Sequence, residues 1–174
     1  MQQQVLTMDA TDRRPQFHEL LERHRGIVLK VANTYSRDPH DRADLAQEIA
    51  TQLWRAFAGY DGQRQFSTWM YRIALNVAIS HLREHTRHER HHEPLDLAAH
   101  DLTDGGSDPD MDARVHELYR CIDRLDPLNR ALLILYLDER SQHEIADILG
   151  ISETNVATKI GRLKERLRND MSEA

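Results

Sequence analysis

The chain reads as an all-α protein: two small helical domains joined by an acidic linker. Three observations predict this. Apolar residues recur at three- and four-residue spacing along most of the chain, with no convincing strand-type alternation and no internal repeat. The charge is unevenly placed: residues 86–112 hold 2 Lys/Arg against 8 Asp/Glu, whereas residues 1–85 hold 11 against 10 and residues 113–174 hold 10 against 11. The middle segment also carries Pro94, Gly105, Gly106 and Pro109, with little periodic apolar content, as an irregular spacer does. So long a structureless stretch is uncommon inside one compact domain, which sets the expected divisions at 1–85, 86–112 and 113–174.

Composition narrows the function classes. A hydrophobic content of 40% supports small cores, and 30% charged residues give much solvated surface. The single cysteine, Cys121, cannot form an internal disulfide; it reads as a small core residue of a protein in the reducing cytoplasm. No apolar run approaches the length of a membrane span, and the N-terminus lacks the basic-then-apolar order of a signal peptide, so no membrane insertion is expected.

Helical patterns run from Gln16 to Tyr35, from Ala43 to Phe57 and from Ser67 to His85. In "DLAQEIATQLWRAF" (Asp44–Phe57), Leu45, Ile49, Ala56 and, more loosely, Leu53 form the buried stripe. Trp54 lies opposite Leu45, among Asp44, Gln47, Thr51 and Arg55, with Glu48 at the edge. A tryptophan so placed marks either a protein interface or a spot covered by another helix. In the next helix, Met70, Ile73 and Val77 lie on a broad apolar side, and Arg72, Asn76 and Arg83 share another, bordered by Trp69. A loop with Tyr60, Arg64 and Phe66 precedes it. Rings, an amide and basic groups along one edge suit single-stranded nucleic acid, although aromatics at helical spacing also suit a core.

After the linker, patterns run from Ala113 to Leu125, Leu128 to Leu137, Ser141 to Leu149 and Glu153 to Arg168. Asp126-Pro127 reads as a capped helix start, and Ser67 and Ser152 as N-caps. In "SQHEIADILGISETNVATKIGRLKERLR" (Ser141–Arg168), Gly150 suits a left-handed C-cap, with Ala146 four residues before it and Val156 six after. This is helix-turn-helix spacing; the alternative is an ordinary helical hairpin in a core. Val156, Ile160, Leu163 and Leu167 form the buried stripe of the last helix. Thr154, Thr158, Gly161 and Arg162 lie opposite, flanked by Asn155 and Lys159. Small polar residues allow close approach to base edges, and basic ones suit phosphates; the alternative is a solvated basic face.

His81 and His85 stand one helical turn apart, followed by His88, His91 and His92. No cysteine and no clear carboxylate partner completes a site, so no metal is expected, and a basic helix end or a pH-sensitive joint accounts for them. No phosphate-binding glycine loop or nucleophile constellation is present, which argues against an enzyme; no cofactor is expected.

These motifs, in this order, resemble the extracytoplasmic-function group of bacterial sigma factors. "DLAQEIATQLWRAF" resembles sigma region 2.2, "FSTWMYRIALNVAISHLR" regions 2.3 and 2.4, "IDRLDPLNRALLILYLDERS" region 4.1, and Ser141–Arg168 the region 4.2 helix-turn-helix. The resemblance implies a non-catalytic specificity subunit. Region 2 would bind the largest subunit of core RNA polymerase and open the −10 element; region 4 would bind the second-largest subunit and read the −35 element of promoter DNA. Asp44, Gln47, Glu48 and Trp54 then fall in the polymerase-binding helix. Tyr60, Arg64, Phe66, Arg72, Asn76 and Arg83 fall at the −10 element, with Asn76 beside a flipped base. Thr154, Asn155, Thr158, Lys159 and Arg162 fall at the −35 element. An anti-sigma factor is the group's usual partner. Ala157 replaces a lysine common in the group, which removes a phosphate contact. The acidic linker either mimics RNA in a basic channel or is a solvated spacer. The competing readings are a two-domain regulator that never engages core polymerase, against which the Trp54 face argues, and a sequestering protein, against which the helix-turn-helix argues.

Overall fold

The computed structural model describes residues 10–89 and 109–172. These form eight helices: α1 (Ala10–Arg23), α2 (Arg25–Tyr35), α3 (Pro39–Phe57), α4 (Phe66–Glu89), α5 (Pro109–Asp123), α6 (Pro127–Leu137), α7 (Gln142–Leu149) and α8 (Glu153–Ser172). No strand occurs among the described residues. Helices α1–α4, termed the first unit, precede the segment outside the described residues, and α5–α8, the second unit, follow it; their buried residues join in one apolar cluster. Helices also claim both ends of the 86–112 segment: nothing in Thr86–Glu89 breaks a helix, and Pro109 fits a first turn. The rest of that segment, with His91 and His92, lies outside the described residues.

The single helix expected over 16–35 is two. Helix α1 starts at Ala10 and runs through Pro15, whose missing N–H forfeits one backbone bond. The chain breaks at His24 (φ −113°, ψ 13°), whose N–H is shared between the carbonyls of Leu20 and Leu21 at 3.1 and 3.2 Å. Gly26, a poor helix former, follows at once. The break lets Phe17 of α1 and Ile27, Val28 and Val31 of α2 reach the same core. Helix α3 begins four residues before the expected Ala43. Asp38 caps it, accepting from the N–H groups of His40 and Asp41 at 2.9 Å each, and Pro39 fixes its first turn.

Leu45, Ile49 and Leu53 of α3 and Met70, Tyr71, Ala74, Leu75 and Ala78 of α4 are buried in the core where the two helices pack. Ile73 and Val77, expected on the buried side of α4, are only half-buried, because the core row runs one position away from them. Ser67 is no cap. It sits within the first turn of α4, buried, and accepts a hydrogen bond from Arg140 Nη1 at 3.0 Å.

In the second unit, Asp126 caps α6 by accepting from the Asn129 N–H at 3.1 Å. Ser141 and Glu144 form a reciprocal capping box on α7. Gly150 closes α7 in the left-handed conformation (φ 68°, ψ 34°), donating its N–H to the Ala146 carbonyl at 2.9 Å. Ser152 caps α8, accepting from the Asn155 N–H at 3.2 Å. Val156, Ile160 and Leu163 are buried as the stripe predicts, and Cys121 is fully buried.

The two units pack on each other. Tyr35 donates its hydroxyl to the Pro127 carbonyl at 2.7 Å. Arg37 pairs with Asp123 at 3.1 Å and lies over the Tyr119 ring, 4.4 Å from its centroid. Asp138 accepts from the Tyr71 hydroxyl at 3.0 Å and pairs with Lys30. The turn that presents Asp138 and Arg140 to the first unit is held by Glu139 in a left-handed conformation (φ 55°). Among the described residues, no helix is long and apolar enough to cross a membrane.

Candidate functional site

Three surfaces carry the candidate residues. On α3, Asp44, Gln47 and Glu48 are exposed because the buried stripe takes the opposite side. Trp54 is 37% exposed, and its ring meets Phe17 of α1 at 5.2 Å between centroids. Helix α1 thus covers one side of Trp54, and the other side faces solvent. Glu48 accepts from the Gln52 side chain at 2.6 Å.

The second surface is α4 with the loop before it. Arg72, Asn76 and Arg83 are exposed along the helix. Asn76 shares a groove between α3 and α4 with Glu48, Gln52, Ser80, His81 and Glu84. The structure thus brings together two residues that the sequence assigned to different partners. Tyr60 fixes the loop by donating its hydroxyl to the Arg64 carbonyl at 2.7 Å. Phe66 is 7% exposed and enclosed by Phe57, Tyr60, Trp69 and His24, with centroids 5.2 to 6.4 Å away. In this conformation it supports the loop and offers no face to a base. Burial pushes the Tyr60 phenol above its ordinary value, with Asp61 adding to the effect, so it stays a neutral donor. Arg64 is paired with Asp147 of α7 at 2.9 Å. With Arg72, it borders a recess whose other wall is the α7–α8 turn, including His143, Gly150 and Glu153.

The third surface is α8. Thr154, Asn155, Thr158 and Arg162 are exposed, and Lys159 is half-buried. Gly161 has open space where a Cβ would stand. Lys159, Arg162 and Arg166 border a recess with Asn129 of α6. Lys164 lies over the Tyr136 ring, 4.4 Å from its centroid. Across the turn, His143 Nδ1 meets Glu153 Oε1 at 2.8 Å. That hydrogen bond, with the charge behind it, raises the His143 imidazole above its ordinary value.

Two residues that sequence reasoning missed belong to these surfaces. Asp147 holds Arg64, a contact between units that no local pattern encodes. Asp41, in the first turn of α3, stands beside His85, its Oδ2 3.1 Å from Nε2. It is the carboxylate partner that the sequence did not show. The antiparallel packing of α3 on α4 puts the start of one helix beside the end of the other, and that register was the available signal.

A four-helix unit followed by a helix-turn-helix unit, each with an exposed polar face, defines the class. Residues 20–88 match the sigma-70 region 2 family model, and residues 116–167 match the sigma-70 region 4 model. The ECF RNA polymerase sigma-E factor of Escherichia coli strain K12 is 31% identical over 163 residues, covering 88% of this chain and 85% of that protein. The chain belongs to the sigma-70 family of RNA polymerase sigma factors, in its extracytoplasmic-function group. A probable RNA polymerase sigma factor, RfaY of Xanthomonas campestris pv. campestris, is 29% identical over 153 residues; the chain spans 38% of that longer relative. The fold is also that of the sigma factor RpoE, solved in complex with the anti-sigma factor NepR from Bartonella quintana. The TM-score is 0.72 at 18% identity, over 90% of this chain and 97% of that one.

Proposed function

We propose that this sigma factor acts in the cytoplasm as a non-catalytic subunit, directing core RNA polymerase to a defined promoter set. The first unit binds the largest polymerase subunit through Asp44, Gln47, Glu48 and the open side of Trp54. It then opens the −10 element along Arg72, Asn76 and Arg83, with Tyr60, Arg64 and Phe66 shaping the adjoining loop. Asn76 meets an extruded base in the α3–α4 groove; flipping costs a few kcal/mol, which stacking and edge hydrogen bonds offset. The second unit engages the second-largest polymerase subunit. It lays α8 in the major groove of the −35 element, where Thr154, Asn155, Thr158 and Arg162 meet base edges and Lys159 a phosphate. An anti-sigma factor binds the chain and holds it in reserve; the similar RpoE is solved in complex with the anti-sigma factor NepR.

The observation that carries this reading is α8. Its buried stripe and left-handed turn fix the helix so that the small polar residues face outward together. The test is transcription from genomic fragments by purified core polymerase, with and without the chain. Transcription should require both, and Glu48→Arg should weaken core binding about tenfold or more while leaving helicity intact. Glu48 is the cleaner probe, because Trp54→Ala also removes packing on Phe17. Promoter binding independent of core enzyme, or normal core binding by Glu48→Arg, would sink the assignment.

A further inference from the structure

The α3–α4 hairpin brings three ligand-type side chains together at one end of the groove that holds Asn76, among residues given no promoter or polymerase role above. Asp41 and His85 are in contact at 3.1 Å. His81, one turn before His85 on α4, lies against it with ring centroids 4.3 Å apart and the ring planes tilted by 37°. One nitrogen from each imidazole and one Asp41 oxygen all lie within 4.8 Å of one another, on half-buried residues. His81 Nε2 is closed off from solvent and has no hydrogen-bond partner. A ring nitrogen in that state costs free energy unless something fills its lone pair or takes its proton.

We propose that Asp41, His81 and His85 bind a divalent transition-metal ion, Zn2+ by their chemistry. Two imidazoles and one carboxylate are a borderline-soft donor set that suits Zn2+ and disfavours Mg2+ and Ca2+, which take oxygen ligands. Ligand separations of 4.8 Å or less close to tetrahedral spacing with small side-chain rotations. A cation bound at Nε2 of His81 supplies the partner that atom lacks. Three protein ligands leave one position for water. The consequence is mechanical: the ion ties the first turn of α3, the helix proposed to meet polymerase, to the end of α4, which carries Asn76 and Arg83. This inference does not depend on the proposed promoter contacts, because its readout is metal binding by the free chain.

The test is titration of the tag-free full chain with Zn2+ against a chromophoric chelator, with Co2+ absorption as a geometric probe. One Zn2+ should bind per chain, and Zn2+ should raise the Tm. Asp41→Asn, His81→Asn and His85→Asn should each weaken binding about tenfold or more and abolish the Tm shift. Asp41→Asn keeps the shape of a half-exposed side chain, so it serves if a histidine variant fails to fold. The His88→Asn/His91→Asn/His92→Asn triple variant should bind as the parent does. The proposal is overturned if no stoichiometric binding occurs, if Asp41→Asn binds normally, or if the triple variant loses the ion. Any of these outcomes would leave Asp41 and His85 as a polar contact with His81 packed beside it.

Discussion

At the scale of single residues, the helix-turn-helix is braced by a titrating contact. His143 near the start of α7 and Glu153 at the start of α8 meet at 2.8 Å, and the hydrogen bond to Glu153 holds the imidazole above its ordinary value. The sign follows from the direction. A base whose folded value is raised contributes stability that is complete below its unfolded value of about 6.5 and is lost as pH rises through the folded value. The brace is therefore complete below the ordinary histidine value and fades as pH rises through the raised one. An imidazole titration by NMR should find His143 titrating above the ordinary histidine value, and Glu153→Gln should return it toward that value. A His143 resonance that titrates at or below the ordinary value in the parent would show that the contact does not form in solution. The His143–Glu153 pair was not legible in the sequence, because ten residues and a turn of unknown geometry separate the partners. The left-handed Gly150 was legible, because only glycine takes that conformation without strain.

At the scale of elements, the two glycines of the second unit predict opposite outcomes for one substitution. Gly150→Ala puts a side chain into a left-handed cap. Nothing lies within 4 Å of the added Cβ, so the cost is backbone strain alone, about 1 kcal/mol. Gly161→Ala adds a methyl in open space in the middle of α8, where alanine is the better helix former by about 0.5–1 kcal/mol. Thermal denaturation should therefore show the Tm falling by a few degrees for the first and rising for the second. Gly161→Ala should at the same time weaken −35 binding severalfold, because its methyl stands on the face proposed to enter the groove. A lower Tm for Gly161→Ala would contradict the open position. Periodicity gave most of the helices their place, and proline with aspartate fixed the start of α6. The same Asp-Pro signal at Asp38-Pro39 was available for α3, but the apolar stripe begins later and masked it. The α1–α2 break was not legible, since the apolar spacing of 16–35 reads through His24 and only a core on two sides makes the bend favourable.

At the scale of the whole molecule, the two units dock in a way that conflicts with simultaneous promoter contact. Elements at −35 and −10 are about 25 base pairs apart, on the order of 85 Å along B-DNA at about 3.4 Å per step. A compact chain of this length has a radius of gyration of roughly 16 Å, so the docked form cannot touch both elements. The 19 residues from 90 to 108 reach at most about 65 Å when extended, which allows the units to separate without unfolding. Docking also ties Arg64, a proposed −10 residue, to Asp147 of α7. We therefore expect a docked free chain and an open holoenzyme, with Asp138 as one of the polar latches. Burial pushes the Asp138 carboxyl up, but hydrogen bonds from Lys30, Tyr71 and Arg140 outweigh it and hold the value below the usual one. A depressed acid contributes stability that is complete above its unfolded value and is lost as pH falls through the folded value, so docking should weaken only in strong acid. At neutral pH the latch is better tested by Asp138→Asn. Losing a charge-assisted contact of about 1.5–3 kcal/mol, discounted because Lys30 is 44% exposed, should shift the docked–open balance about tenfold. Small-angle scattering should show a larger radius of gyration at unchanged helicity. A dye pair on α2 and α6 should report greater separation. If opening limits assembly, core polymerase should bind the variant more tightly, by up to the same factor. A variant as compact as the parent, with unchanged dye separation, would show that Asp138 does not hold the units together.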